Sequence, residues 1–360
     1  MSKPKVAVTG ATGLVGSHLL SYLVERGYPV TAIVRQTSNV EQLKRIAGPG
    51  KLMLAVAELG DPSAIAAALS EGGGAADVVV HAAGAVDPYG RRPEIFAINV
   101  GGTRSVLEAS IDLGVKQFIQ ISSLSVITGQ DDQFDVTEEA QLRYCGESYA
   151  DSKVDAERLV MAEAGRGRIE VTALRPGFIY GPGERAWMPR LISSLTAGKA
   201  MLIDGGNRAT NVIYVENLCR AAEAALLNPR AFGRVYNLTD GQRVTKKMLF
   251  DAICDGLAVA RVTRKVPQAV ARLVCEVVSS FAPLLPVSTQ RELSRYSRAA
   301  FRLAGVNQGF SIARAELELG YTDRIPFEQG MTRTLACFGG AASRTWALPK
   351  NDQEKVGEPR

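Results

Sequence analysis

Tyr149 and Lys153 stand four residues apart in Tyr149-Ala150-Asp151-Ser152-Lys153, a spacing that puts a phenol and an ammonium on one face of a helix. A free phenol, with a pKa of about 10, is a poor acid–base catalyst at neutrality. A neighbouring lysine charge, and a cationic ring beside it, stabilise the phenolate and bring it toward pH 7. Such a group needs an oxygen to act on and a second donor to share it. The apolar run Phe118-Ile119-Gln120-Ile121 ends in Ser122-Ser123. Hydroxyls at the carboxyl end of a strand lie where open α/β sheets bind ligands. Ser123 is therefore expected beside Tyr149 on the substrate oxygen. Ser122 is expected to satisfy backbone, and Ser125 is the weaker alternative to Ser123.

A third element supplies the reacting partner. Thr9-Gly10-Ala11-Thr12-Gly13-Leu14-Val15-Gly16 follows an apolar run and opens a helical pattern. Gly10 permits a tight turn, Gly13 lets backbone approach a pyrophosphate, and Gly16 allows close helix–strand packing. Free N–H groups from Thr12 through Val15 would then meet phosphates. The spacing is GxxGxxG rather than GxGxxG. Arg35 ends the second apolar run, where an acid would bind the ribose hydroxyls of NAD and an arginine fits a 2′-phosphate. The expected cofactor is NADP(H), with NAD(H) the alternative. Glu58 and Leu59 follow the third run, at the adenine end, and Asp61 reads as an N-cap before Pro62. In reduction, hydride would pass to the carbonyl carbon while Ser123 and Tyr149 polarise the oxygen and Tyr149 gives the proton. Lys153 would hold the cofactor ribose and tune Tyr149.

These residues require a frame. Continuous apolar runs at Val6 to Val8, Val30 to Val34, Leu52 to Val56, Val78 to Val80, Phe118 to Ile121 and Val171 to Leu174 alternate with helical patterns. That is the signature of a parallel sheet covered on both faces, an α/β doubly wound Rossmann fold. After Pro176 the pattern shortens around Gly181-Pro182-Gly183 and Gly205-Gly206-Asn207. The expected organisation is a dinucleotide-binding domain over 1–180, with strands around 210–240 returning to it. A smaller, mainly substrate-binding domain over 181–335 and a disordered tail over 340–360 complete it.

The bulk properties exclude several classes. The net charge of +5 is spread along the 360 residues, which argues against nucleic acid as a partner. The chain's five cysteines form no CxxC pair, as expected in a reducing compartment. With two histidines, His18 and His81, no metal site is expected. No leader and no membrane span are read, so the expected location is the cytoplasm, with association at a membrane surface left open.

Taken together, the motifs resemble the extended short-chain dehydrogenase/reductase superfamily over about residues 4 to 335. Val80-His81-Ala82-Ala83-Gly84, Asn99-Val100-Gly101-Gly102-Thr103, Leu174-Arg175-Pro176-Gly177 through Gly183, and Tyr214-Val215-Glu216-Asn217 extend the likeness. The resemblance implies that His81 to Gly84 line the cofactor and that Asn99 is a largely structural active-site asparagine. It also implies that Pro176 and Gly177 contact nicotinamide and substrate. The stretch from Pro189-Arg190-Leu191 to Asn217, with Phe310-Ser311 through Tyr321, is most similar to the 3β-hydroxysteroid dehydrogenase branch. That branch includes sterol C4-decarboxylating dehydrogenases and reductases of long-chain 2-alkyl-3-oxo acids. Arg35 departs from its NAD-using members, and Glu58 stands where an Asp is usual.

Val266 to Val287 carries apolar residues at helical spacing, interrupted by Arg272 and Glu276 and broken by Pro283. Either it forms an apolar wall for a lipid-like substrate, resting on a membrane surface, or it is a helix with its apolar face to the core. Trp187 and Arg190 are expected at the substrate, and Arg190 could meet a carboxylate. The expected activity interconverts a 3-hydroxy and a 3-oxo group on a hydrophobic substrate, a sterol or long-chain β-keto acid. A nucleotide-sugar epimerase or dehydratase and a non-catalytic NADP-binding regulator are the rivals. A homodimer through helices flanking Tyr149 is implied by the resemblance alone.

Overall fold

The computed structural model describes residues 3–46, 48, 50–86, 91–281, 289, 293 and 296–338; the 340–360 tail lies outside them. The apolar runs of the first third form β1 (Val6–Thr9), β2 (Val30–Val34), β3 (Leu52–Val56), β4 (Val78–His81) and β5 (Gln117–Ile121). Further along lie β6 (Gln133–Val136), β7 (Glu170–Pro176), β8 (Phe178–Tyr180), β9 (Leu202–Ile203), β10 (Ala209–Thr210), β11 (Val212–Tyr214) and β12 (Arg234–Leu238).

Seven strands make one sheet in the order β3-β2-β1-β4-β5-β7-β12, every neighbouring pair parallel. Burial on both faces explains why β1, β2 and β4 are largely apolar without alternation, while β5 buries Gln117 and Gln120 among apolar residues. Helices α1 (Leu14–Glu25), α2 (Pro62–Leu69), α3 (Arg92–Phe96), α4 (Gly102–Asp112) and α5 (Ser148–Met161) connect them. The side chains of α1 pack on one face of the sheet, while those of α2, α4 and α5 share a core on the other. Asp61 does cap α2, accepting from the N–H groups of Ser63 and Ala64 at 3.0 Å. The strand order reverses between β1 and β4, so a crevice opens at their carboxyl ends.

The later chain splits its allegiance. β12 rejoins the large sheet, whereas β11 pairs with β8. Around that small pair, α6 (Met188–Thr196), α8 (Lys246–Gly256) and the helix Phe327–Leu335 bury a second core containing Tyr180, Met188, Tyr214, Ile253 and Met331. Between α6 and α8, α7 (Val215–Ala225) lies against α1.

The apolar segment near 270 is helical as α9 (Gln268–Phe281), but its apolar side is not turned to the core. Cys275 is buried there with Ala271 beside it, while Val270, Leu273, Val274, Val277 and Phe281 are exposed, Leu273 at 65%. The core-facing alternative is thereby corrected: the inner face takes the small residues. Pro283 and the rest of that segment to Val287 lie outside the described residues.

Candidate active site

Tyr149 and Lys153 sit on the first two turns of α5, and Ser123 follows β5 as the N-cap of a short 3-10 turn over Leu124–Val126. The Ser123 hydroxyl accepts from Ser125 N–H at 3.1 Å, which fixes its rotamer. Burial pushes the Tyr149 phenol above its ordinary pKa, and its hydrogen bond with Ser123 pulls the other way. Lys153 is buried, and burial lowers its pKa to about 8 while Glu157 opposes that fall. The Lys153 amine donates to the Ile121 carbonyl at 2.6 Å, so α5 is tied to the carboxyl end of β5. The Ser125 hydroxyl is buried and meets no hydrogen-bond partner among the described residues. Ser122, read as a backbone partner, instead gives its hydroxyl to the Glu157 carboxylate at 2.6 Å.

The turn that starts α5 is fixed by carboxylates on either side of Tyr149. Asp151 accepts from Cys145 N–H at 2.8 Å and from Arg92 at 2.8 Å. Glu147 accepts from Arg302 at 2.6 Å. Asn99 reaches across from the preceding layer. Its amide oxygen accepts from Ala85 N–H at 2.7 Å, and its amide nitrogen donates to the Ala85 carbonyl at 3.1 Å and to Ser152 at 2.9 Å. Ser152 in turn donates to the Tyr149 carbonyl at 2.7 Å. Asn99 lies in a π-helical turn, Ala97–Gly101, a widening that aims its side chain out of the helix. The segment after β4 and α5 are thus held by one side chain.

The glycine loop sits at the reversal point. Gly10 has a φ of 68°, and a Cβ there would lie 2.6 Å from Ala83 N. A Cβ on Gly16 would overlap the Gly10 carbonyl oxygen. Gly13 is the N-cap of α1 and offers no side chain to its first turn, so the N–H groups from Leu14 and Val15 onward face the loop unblocked. Thr12 is exposed on that loop. Ala82, Ala83 and Gly84 line the β4 side. His81 does not face the crevice: its ring is buried between Thr9 at 2.8 Å and Thr103 at 3.0 Å. Burial first, then the Lys153 charge, push its pKa down to about 3, so it is neutral. Arg35 follows β2 at the crevice rim, exposed, and pairs with no carboxylate among the described residues. Glu58 is exposed, and Leu59 packs where a Cβ on Gly102 would go.

At the far side of the crevice, β7 ends at Pro176, and Gly177 N–H donates to the Leu238 carbonyl at 3.0 Å. Only a glycine fits at 177, because a Cβ would collide with the Asn211 carbonyl. Trp187 is anchored by its indole N–H, which donates to the Ile179 carbonyl at 2.9 Å, and by an edge contact with Phe178. Arg190 is exposed on α6. Among the described residues no group of His, Cys, Asp and Glu could hold a metal ion. All five cysteines are free.

Sequence reasoning did not single out the buried Glu157, although it extends the Tyr149, Lys153 spacing by another four residues. A loop glycine with positive φ, a helix start without a side-chain cap and a lysine one turn along a helix from a tyrosine suit a dinucleotide. Its pyrophosphate would meet the start of α1, and its ribose would meet Lys153.

The chain matches the NAD dependent epimerase/dehydratase family over residues 6–239. It is 28% identical over 352 residues to the 3beta-hydroxysteroid-dehydrogenase/decarboxylase isoform 2 of Arabidopsis thaliana. That match covers 92% of this chain and 61% of the plant protein, so the chain spans less than two thirds of that relative's length. It is also 29% identical over 328 residues to the 4-hydroxy-2-methyl-3-oxo-4-farnesyl-3,4-dihydroquinoline-1-oxide ketoreductase of Stigmatella aurantiaca, covering 90% of this chain and 93% of that one. Among solved structures, UDP-glucose 4-epimerase from Thermotoga maritima superposes with a TM-score of 0.71 at 21% identity, covering 93% of this chain and 98% of the other; the likeness is one of fold. The matched sequence spans the glycine loop, the Ser123 turn, α5 and the sheet that orders them, and on that ground the chain belongs to the NAD dependent epimerase/dehydratase family and is an oxidoreductase of the extended short-chain dehydrogenase/reductase type.

Proposed function

We propose that this protein is an NADP(H)-preferring oxidoreductase that interconverts a 3-hydroxy and a 3-oxo group on a hydrophobic substrate, a sterol or a long-chain β-keto acid. The observation that carries the reading is the meeting of Ser123, Tyr149 and Lys153 at the carboxyl end of β5. When bound, the dinucleotide supplies or takes up the hydride. In reduction Tyr149 gives its phenolic proton to the substrate oxygen, and in oxidation it takes that proton back. Ser123 shares the same oxygen and favours the phenolate. Lys153 keeps two N–H groups beyond the one spent on Ile121, and these suit the ribose hydroxyls.

The hydrophobic substrate is supported by the two relatives, a 3beta-hydroxysteroid dehydrogenase/decarboxylase and a ketoreductase of a farnesylated dihydroquinoline oxide. The outward apolar side of α9 supports a peripheral membrane contact. Where a substrate carries a carboxyl at C4, oxidation at C3 makes a β-keto acid that loses CO₂ readily; a product that retains the carboxyl excludes this course.

Tyr149→Phe tests the reading. NADPH fluorescence titration is expected to stay as in wild type while ketone reduction falls at least about 100-fold. Unchanged turnover would refute it. The fold likeness to a sugar-nucleotide epimerase motivates the second reading, which predicts NAD carried through purification and no net consumption of added NADPH. A regulator without chemistry would bind NADPH and turn over nothing even as wild type. The homodimer is a proposal that sedimentation velocity reads directly.

A further inference from the structure

Four residues beyond Lys153 on α5 lies Glu157, 1% exposed, with every oxygen engaged. One oxygen accepts from Ser122 at 2.6 Å. Arg175, from β7, donates through Nε at 3.1 and 3.0 Å to the two oxygens and through Nη2 at 2.5 Å. Arg175 is itself buried, and its Nη1 donates to the Glu138 carbonyl at 3.3 Å. The chemistry assigned above uses none of these groups. Yet Lys153 donates to Ile121 and Glu157 accepts from Ser122, so two successive turns of one helix grip two adjacent residues of one strand end.

We propose that Glu157, held by Arg175, is a positioning residue for Lys153: it fixes the end of β5 against α5 and supplies the negative field that keeps the buried amine charged. The proposal rests on the oxidoreductase reading, in which Lys153 must be a cation. A buried ion pair is a poor device for stability alone, since apolar groups of the same volume often do as well. Placed one turn from Lys153, it has an electrostatic consequence. Burial draws the amine toward neutrality, and the carboxylate opposes that. The other groups facing the amine cannot replace it. Tyr149, on the same helix, is neutral, and His81 from β4 is neutral at its depressed pKa of about 3. Asp151 is committed to Arg92, and Arg175 from β7 is itself a cation.

The experiment follows the Lys153 amine by its carbon-13 resonance in lysine-labelled protein without added cofactor, assigned by difference with Lys153→Met. Wild type should titrate near pH 8. In Glu157→Gln the midpoint should fall by about one pH unit or more, the scale of one buried neighbouring charge. Ser122→Ala removes a hydrogen bond but no charge and should leave the midpoint in place. Glu157→Gln leaves Arg175 buried without a counter-charge and is at risk of misfolding. The double variant Glu157→Gln/Arg175→Met removes the guanidinium with the carboxylate, so its midpoint should still fall, by less than in the single variant. A folded variant whose Lys153 titrates as in wild type overturns the proposal. The alkaline limb of kcat should move with the midpoint. A moved midpoint in a protein that reduces no ketone leaves the Glu157–Lys153 coupling standing and fails the oxidoreductase reading alone.

Discussion

At the scale of the residue, two side chains carry consequences that solution measurements read directly. The Lys153 amine is charged below about pH 8 and loses its proton as pH rises through that value, so ketone reduction should fall on the alkaline side. The same shift has a stability sign. The folded pKa lies below the unfolded one, so the unfolded chain holds this proton more tightly, and the buried ammonium costs stability below about pH 8. That cost shrinks as pH rises and is gone above the ordinary lysine value of 10.5. Lys153→Met should therefore unfold at higher urea than wild type at pH 7, with the gap closing toward pH 10. A gap that does not change with pH would refute this account. The second side chain is Arg35. If its guanidinium takes the 2′-phosphate, Arg35→Asp should weaken NADPH at least about tenfold and leave or improve NADH, the scale of one charge-assisted contact. Equal loss of both cofactors would make Arg35 a bystander.

At the scale of the element, the site depends on strands and helices being locked in register. Asp240, just past β12, is the lock of the second core. It accepts from Tyr214 N–H at 2.7 Å, Asn217 at 2.8 Å and the Tyr180 hydroxyl at 2.7 Å, joining β11, α7 and β8. Burial raises its pKa to about 6, and those donors hold it from rising further. Asp240→Ala would strip the shared acceptor from three buried donors, of which the Tyr180 hydroxyl has another, the Phe327 carbonyl at 3.4 Å, and should cost about 3 kcal/mol in denaturant unfolding. Asp240→Asn, which keeps an oxygen in place, should cost less. Most elements were legible. The run at Val30 to Val34 forms a strand with those bounds, because a parallel strand buried on both faces must be apolar throughout, and Leu52 to Val56 pairs beside it as the half-exposed edge strand. The π-helical turn around Asn99 was not legible, since its register depends on contacts with Ala85 and Ser152 from two other elements.

At the scale of the whole molecule, the outer side of α9 exposes Val270, Leu273, Val274, Val277 and Phe281 together. No helix among the described residues is long and apolar enough to cross a membrane, so a membrane contact would be made from one side. Leu273→Asp with Phe281→Asp should lower co-sedimentation with phosphatidylcholine–phosphatidylglycerol vesicles at least about tenfold. That is the scale set by two large apolar side chains leaving a buried environment. The melting temperature should hold, because both side chains are more than half exposed, at 65% and 62%. A double variant that binds vesicles as wild type does would remove the membrane from consideration.

The sequence alone determined the fold class, the glycine loop and the order of Ser123, Tyr149 and Lys153, because strand burial, tight turns and helical spacing are local demands written in adjacent residues. It also determined the Asp61 cap, a contact within four residues. Tertiary structure decided what depends on partners far along the chain. It turned His81 inward between Thr9 and Thr103, tied Trp187 to Ile179, and turned the apolar side of α9 away from the core. It also set Glu157 between Ser122 and Arg175 beside Lys153. Each of these rests on which surface a side chain meets after packing, and periodicity fixes a face without saying what that face will meet.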